Sequence, residues 1–336
     1  MINATSFGDL AQSFSLQRRG AALKTEMARL NEELTSGQVS DVKSVLAGNT
    51  SYLAGIENDL RVLDGYRVAG AEAGQFADAM QLALDRIQTA SSNYSQDLLV
   101  TAQNASGQVL DQFAEDARSE LETIVSALNT TVGGRTVFAG TATNQNPLAD
   151  VDTILTGLQT ALTGATSVDD VMAMTDVWFA DPAGFAATAY QGSDTSLAPF
   201  RLGESETVAL STTANDAALR EVIKVVALAG MADDGSLSLS SDQKRELLSR
   251  AATDLLSAQT DLTAIRASVG ASQERISQIE SRNSAERTSL EFAKGALLGA
   301  DPYETATKLE EVQFQLQALY TVTARMSDLS LVNFIR

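Results

Sequence analysis

Few side chains in this sequence could carry out covalent or acid–base chemistry, and none has the companions that such chemistry needs. Ser40 and Lys43 have the Ser-x-x-Lys spacing of a nucleophile and its base, but no Ser-Asp-Asn or Lys-Thr-Gly motif accompanies them. The 336 residues include no Cys and no His, which removes thiolate nucleophiles, histidine bases and the common zinc ligands. We therefore predict that the chain is not an enzyme and has no catalytic residues, metal site or cofactor.

The remaining acidic and glycine-rich motifs are incomplete in the same way. Asp150 with Asp152, and the pair Asp233-Asp234, lack the further ligands of a calcium-binding loop. Gly133-Gly134 is not followed by the Lys-Ser or Lys-Thr of a phosphate-binding loop. We interpret these motifs as solvated turns, and we expect Trp178 and Phe179 to belong to a local core.

Charge excludes several classes of partner. The formal net charge is −19, so the basic surface that nucleic acids and anionic membranes require is missing. Residues 1–50 hold five basic and five acidic side chains, whereas residues 135–215 hold two and nine. The first ten residues lack the basic and apolar regions of a signal peptide, and no apolar run reaches membrane-spanning length. We predict no nucleic-acid partner and no membrane partner.

The elements that position these residues are mostly long helices. Inward positions keep a three-four spacing from Leu248 to Leu297, which predicts a helical rod of roughly 75 Å at 1.5 Å per residue. A comparable pattern from Phe76 to Leu128 predicts a second rod. Polar residues interrupt the first stripe at Ser272, Asn283 and Glu286, and we assign them no role. For both rods we favour the interpretation that the inward positions are buried in a core formed within one chain.

Both ends of the chain carry a further apolar stripe. The N-terminal stripe stops at Ser36-Gly37, and the last helix begins with Asp301 as N-cap, Pro302 at the first position and Glu304 completing a capping box. A lone chain hides these stripes only if they pair with each other or with neighbours. We predict a subunit interface at Leu16, Leu23, Met27, Leu30, Leu34, Leu309, Val312, Leu316, Leu319, Met326, Leu329, Leu331 and Phe334.

Between the rods the helical spacing disappears. Residues 135–213 are rich in Thr, Ala, Gly and Asp, which predicts a separate domain of mixed α/β structure. We expect helices at Val151 to Leu162 and Val168 to Phe179, and a hairpin made of Leu197 to Leu202 and Thr207 to Thr212.

The predicted fold class is mainly α. It consists of a long antiparallel helical rod, or coiled-coil bundle, built from both chain ends, with the smaller mixed α/β domain inserted at its far tip. The predicted order is an N-terminal assembly helix (1–40), the first part of the rod (41–134), the inserted tip domain (135–213), the second part of the rod (214–300) and a C-terminal assembly helix (301–336).

Four stretches resemble the flagellin family. They are Leu34-Thr-Ser-Gly37, Gly134-Arg-Thr-Val-Phe-Ala-Gly-Thr141, Tyr190-Gln-Gly192 and Ala324-Arg-Met-Ser-Asp-Leu-Ser-Leu-Val-Asn-Phe-Ile335. The second and third are more typical of members that join the flagellar hook to the filament than of members that form the filament. One departure is Gln38-Val-Ser-Asp-Val42, which stands where relatives often carry an Asp-Asp loop.

The resemblance implies a structural subunit of the bacterial flagellum that polymerises through its terminal helices. It also implies export through the flagellar type III apparatus without a cleaved signal peptide, and a final location outside the cell. The implied partners are copies of the chain itself, the hook-side junction protein, flagellin, and an export chaperone that binds the C-terminal helix. Two alternatives stay open, a filament flagellin and a coiled-coil scaffold unrelated to flagella.

Overall fold

The computed structural model of the chain describes residues 4–46, 50–101 and 105–334. The helices are α1 Ala4–Ser36, α2 Val42–Val45, α3 Ser51–Thr101, α4 Gly107–Leu128, α5 Val151–Ala161, α6 Val168–Ala180, α7 Phe185–Thr188, α8 Ala217–Gly230, α9 Ser241–Leu298 and α10 Pro302–Phe334. Four short strands, β1 Thr131–Val132, β2 Arg135–Thr136, β3 Phe200–Arg201 and β4 Thr207–Val208, form two antiparallel pairs. The predicted class, mainly α with a small inserted segment, is confirmed.

The chain divides into two compact units. The central unit contains Leu63–Ser284, and the terminal unit contains Met1–Val62 and Ala285–Arg336. A continuous hydrophobic core extends through the central unit, from Ala73 on α3 to Ile279 on α9. The predicted rod stripe supplies much of it, since Leu248, Leu255 and Leu262 are each at most 1% exposed. The interpretation of this stripe as a core within one chain is confirmed from Leu248 to Ile279.

The predicted second rod is two helices rather than one. The stripe from Phe76 to Leu128 is divided between α3 and α4, with Ser106 as the N-cap of α4. The two helices pack against each other, and the Tyr94 hydroxyl donates to the carbonyl oxygen of Phe113 at 2.8 Å. The prediction of one continuous rod was wrong because a broken helix and its continuation can keep the same inward spacing when both face one core.

Ion pairs fix the start of α9 against α4. The Lys244 ammonium lies 2.5 Å from Asp111 and 2.7 Å from Asp233, and Arg245 donates to the Ala105 carbonyl. The carboxylates outweigh the desolvation of Lys244 and raise its pKa. These contacts place the beginning of α9 beside the connection between α3 and α4.

The inserted segment forms the local structure that its sequence predicts. α5 and α6 begin at the predicted residues, and β3 pairs with β4 around the predicted turn. Trp178 and Phe179 are core residues, 9% and 5% exposed, and their rings pack edge to face at a centroid distance of 4.9 Å. Phe185 stacks on Phe179 at 4.8 Å and completes this aromatic cluster.

The location of the segment differs from the predicted far tip. Phe200 of β3 contacts Phe76 at 5.9 Å between ring centroids, and the Asn283 side chain donates to the Leu202 carbonyl at 2.8 Å. These contacts lie far along α3 and α9 from the α3–α4 connection. The segment therefore lies alongside the helices of the central unit, because its apolar residues join the core of those helices instead of forming one beyond them.

Candidate assembly surface

In the terminal unit, α1 and α10 form an antiparallel pair, and backbone hydrogen bonds join the end of α1 to the residues before α10. α1 ends at Ser36. Gly37 follows with a φ of +69°, a left-handed conformation that ends the helix, and its N–H donates to the Glu33 carbonyl. Val39 donates to Leu298 and Ala300 donates to Gly37, both at 2.9 Å. These hydrogen bonds join the end of α1 to the turn that precedes α10.

Asp301 caps α10 as predicted. Its Oδ1 accepts from the backbone N–H groups of Tyr303 at 2.9 Å and Glu304 at 3.2 Å. The second half of the predicted capping box does not form among the described residues, because the Glu304 carboxylate pairs with Lys308 at 2.7 Å. An exposed i, i+4 ammonium is a stronger partner for this carboxylate than the backbone N–H of Asp301.

The predicted interface residues lie where α1 and α10 pack against each other within one chain. Leu30 and Leu309 are 1% and 9% exposed, while Leu34 stays 39% exposed. Half-buried positions are Leu16, Leu23, Met27, Val312, Leu316, Leu319 and Met326. The side chains of Leu329, Leu331 and Phe334 lie outside the described residues. Their assignment to contacts between subunits stays a prediction.

Other apolar side chains of the same helices are far more exposed. Phe14 is 63% exposed on α1, and Tyr303, Phe314 and Tyr320 are 85%, 71% and 50% exposed on α10. Such large exposed apolar groups mark a surface that favours binding, because a partner that covers it removes apolar area from water. The predicted inward stripes do not include these four residues.

The motif stretch Gly134–Thr141 meets residues 193–195, which directly follow the Tyr190-Gln-Gly192 motif, although about 50 residues separate them. Ser193 donates its N–H to the Ala139 carbonyl at 2.9 Å, and Thr141 donates its N–H to Thr195 at the same distance. Gly140 has a φ of +58°, and a Cβ there would lie 2.4 Å from the carbonyl oxygen of Ser193. Only glycine at position 140 allows these two backbone segments to approach so closely.

A carboxylate between two arginines holds the β3–β4 turn on α9. The Glu206 oxygens lie 3.1 Å from both Arg275 and Arg282, and these guanidinium groups lower the pKa of Glu206. Asn283, a polar position on the rod stripe with no predicted role, bonds the same hairpin through Leu202. Spacing could not reveal this role, because the hairpin is about 80 residues away in sequence.

We expect Glu206→Gln to loosen this hairpin at pH 7. A folded pKa below the unfolded value of about 4.3 means that ionised Glu206 stabilises the contact above that pH, and protonation removes the effect as pH falls through the folded pKa. Hydrogen-exchange protection of residues 200–208 should fall several-fold in the variant at pH 7 and converge with the wild type below about pH 4. Glu204→Gln, an exposed neighbour, is the matched control; equal loss in both variants would contradict the arginine contact.

The motifs considered for chemistry have structural partners. Ser40 donates its N–H to Glu33 at 2.9 Å, and Asp150 caps α5 by accepting from Thr153 at 2.8 Å. Asp234 accepts from Ser236 at 2.8 Å within a turn. Among the described residues, no group of three or more acidic side chains is placed to hold a metal, and no helix is long and apolar enough to cross a bilayer.

An apolar groove lies between α5 and α6, lined mainly by Ala161, Met174, Val177 and Trp178. Asp181 is the one titratable residue in its lining. A lone carboxylate without a nucleophile or a second acid lacks the arrangement that catalysis requires. The fold thus belongs to a class of mainly helical chains whose two terminal helices pair and leave apolar side chains exposed.

Comparison with known families identifies that class. The bacterial flagellin N-terminal helical region matches residues 9–143, and the bacterial flagellin C-terminal helical region matches residues 253–335. Together these matches cover about two thirds of the chain. The chain belongs to the flagellin family, as its four motif stretches indicated, and it is a structural component of the bacterial flagellum.

No curated protein matches the chain. Among solved structures, the chain is similar to one provisionally described as a flagellar hook-associated protein from Vibrio parahaemolyticus, at 13% sequence identity and a TM-score of 0.46. The similarity covers 75% of this chain and 99% of that chain.

Proposed function

We propose that the chain is the flagellar subunit that joins the hook to the filament. The observation that supports this role is the contact between the stretch 134–141 and residues 193–195, which directly follow the Tyr190-Gln-Gly192 motif. The first of these stretches and the Tyr190-Gln-Gly192 motif are more typical of hook–filament junction members than of filament subunits. These hydrogen bonds join the beginning of the inserted segment to the residues that follow the second motif.

The role is structural rather than catalytic. α1 and α10 supply the assembly surface, and the long seam between α3 and α9 gives the central unit its rigidity. The partners would be further copies of the chain, the hook-side junction protein and flagellin. An export chaperone would cover α10 before assembly, because this helix exposes Tyr303, Phe314 and Tyr320 to water. The subunit would leave the cell through the flagellar export apparatus without losing a signal peptide.

The second candidate is a filament flagellin. The paired terminal helices favour it equally, since every subunit that polymerises through these helices needs the same apolar surfaces. A coiled-coil scaffold unrelated to flagella, by contrast, has lost its support because the chain belongs to the flagellin family.

Location and copy number distinguish the two flagellar roles. We expect antibody-labelled electron microscopy to place the chain at the boundary between hook and filament. Quantitative mass spectrometry of sheared flagella should find it at a small fraction of the filament protein, because a junction needs on the order of one helical turn of subunits. Labelling along the whole filament, with the chain as the dominant protein, would establish the filament role instead.

A further inference from the structure

Each terminal helix carries a second stripe on the side facing away from its partner helix. On α1 the exposed positions follow a three-four spacing that contains Ala11, Phe14, Arg18, Ala21 and Thr25. On α10 the corresponding exposed positions are Tyr303, Thr307, Glu310, Phe314 and Gln317. At 100° per residue, Phe14 lies about 200° around α1 from Leu16, and Phe314 lies about 200° around α10 from Val312. We call these two sets the outer stripes.

The outer stripes match each other in antiparallel register. When Arg18 is set opposite Glu310, Phe14 falls opposite Phe314 and Thr25 falls opposite Tyr303. All five positions of one stripe fall opposite positions of the other. The reason is that α1 read forwards and α10 read backwards both have spacings of three, four, three and four residues. In this register α1 places the small side chains of Ala21 and Ala11 opposite the larger Thr307 and Gln317 of α10.

The polar groups of the outer stripes suit a buried contact. Thr25 donates its hydroxyl to the Ala21 carbonyl at 3.1 Å, and Thr307 donates to Tyr303 at 2.8 Å. These hydroxyls keep their hydrogen bonds when a partner covers them. Within the part of the chain that the structure describes, Arg18 and Glu310 form no ion pair, so each is available to an opposite charge.

We propose that the outer stripe of α1 binds the outer stripe of α10 on a second copy of this chain, with Arg18 against Glu310 fixing the register. This contact rests on the proposed assembly of the chain in the flagellum. Gly20 approaches Leu319 within one chain, so the neighbouring copy is displaced along the helices by about 11 residues, or roughly 16 Å.

The contact repeats from copy to copy. The two outer stripes lie on opposite sides of the α1–α10 pair, so a copy that uses one stripe still presents the other. Such a contact is heterologous and produces a ring or a helical array, whereas an interface that uses the same patch on both copies would stop at a dimer.

Cysteine cross-linking tests the register directly because the chain has no natural cysteine. Cells would produce Phe14→Cys and Phe314→Cys chains together in place of the wild type, and isolated flagella would be oxidised. We expect a disulfide-linked dimer from this mixture and none from either variant alone, since a disulfide needs Cα atoms about 4.4–6.8 Å apart. A mixture of Phe14→Cys with Tyr303→Cys, roughly 16 Å out of register, should give none.

Charge reversal tests the pair that fixes the register. We expect Arg18→Glu and Glu310→Arg each to reduce the amount of the chain in flagella at least tenfold, and the two reversals together in one chain to restore most of it. Arg86→Glu, at an exposed position of α3, is the matched control and should leave incorporation unchanged. Circular dichroism of the purified variants would verify that each keeps its helices.

The possible outcomes separate the two proposals. Absence of the wild-type chain from flagella would refute the proposed function itself. Normal incorporation without the Phe14–Phe314 cross-link would refute the outer-stripe contact alone. A cross-link combined with neutral charge reversals would overturn the role of Arg18 and Glu310.

Discussion

Removal of residues 302–336 is expected to eliminate the chain from flagella while leaving the central unit folded. The deletion removes α10, which packs along α1 in the intact chain. The hydrophobic core of the central unit, from Ala73 to Ile279, contains no residue of α10. We expect complete loss of assembly because half of the paired terminal helices is missing. The cooperative thermal transition of the central unit should persist in circular dichroism because its core is intact.

The assay must separate failed assembly from failed export. Purified truncated chain would be added to cells that lack the natural protein and display bare hooks, with purified full-length chain as the matched control. We expect only the full-length chain to bind and to restore filament growth. Binding and filament growth with the truncated chain at wild-type levels would show that α10 is dispensable and that the assembly surface lies elsewhere.

Gly140→Ala is expected to destabilise the central unit by about 3–5 kcal/mol, a drop in Tm on the order of 10 °C. The φ of +58° already disfavours a side chain, and the new Cβ would meet the carbonyl oxygens of Ser193 and Thr195 at 2.4 and 2.5 Å. Neither oxygen can rotate away because both belong to the backbone. The stretch 134–141 and residues 193–195 would have to separate.

Gly134→Ala is the matched control for this substitution. Gly134 also has a positive φ, +78°, but a Cβ there has nothing within 4 Å. Its expected cost is about 1 kcal/mol, from backbone strain alone. Thermal unfolding of both variants would measure the difference, and equal losses would mean that the close approach at Gly140 contributes nothing beyond its backbone conformation.

Local structure was predictable where a short stretch of sequence contains its own cause. Asp301 and Pro302 fix the start of α10 through one cap and one missing N–H, and Gly37 ends α1 through its left-handed backbone. The inward stripe from Leu248 to Leu262 predicts burial because any helix with that spacing has one apolar face. The four motif stretches also indicate the family by themselves.

Pairing at long range was not predictable in the same way. The break between α3 and α4 was missed because inward spacing does not distinguish one helix from two that share a core. The far-tip position of residues 135–213 was wrong because no local pattern shows that Phe200 packs on Phe76 or that Glu206 binds Arg275 and Arg282.

The sequence by itself determined where the chain is helical over most of its length, the apolar faces, the absence of the usual catalytic groups and the family. Each of these depends on residue type and on spacing within a few turns of chain. Only the tertiary structure decided which apolar face of each terminal helix is occupied. α1 and α10 cover each other through Leu30 and Leu309 and leave Phe14 and Phe314 in water. The physical reason is that the spacing of apolar residues shows which side of a helix is apolar, but it does not show which other element packs against that side.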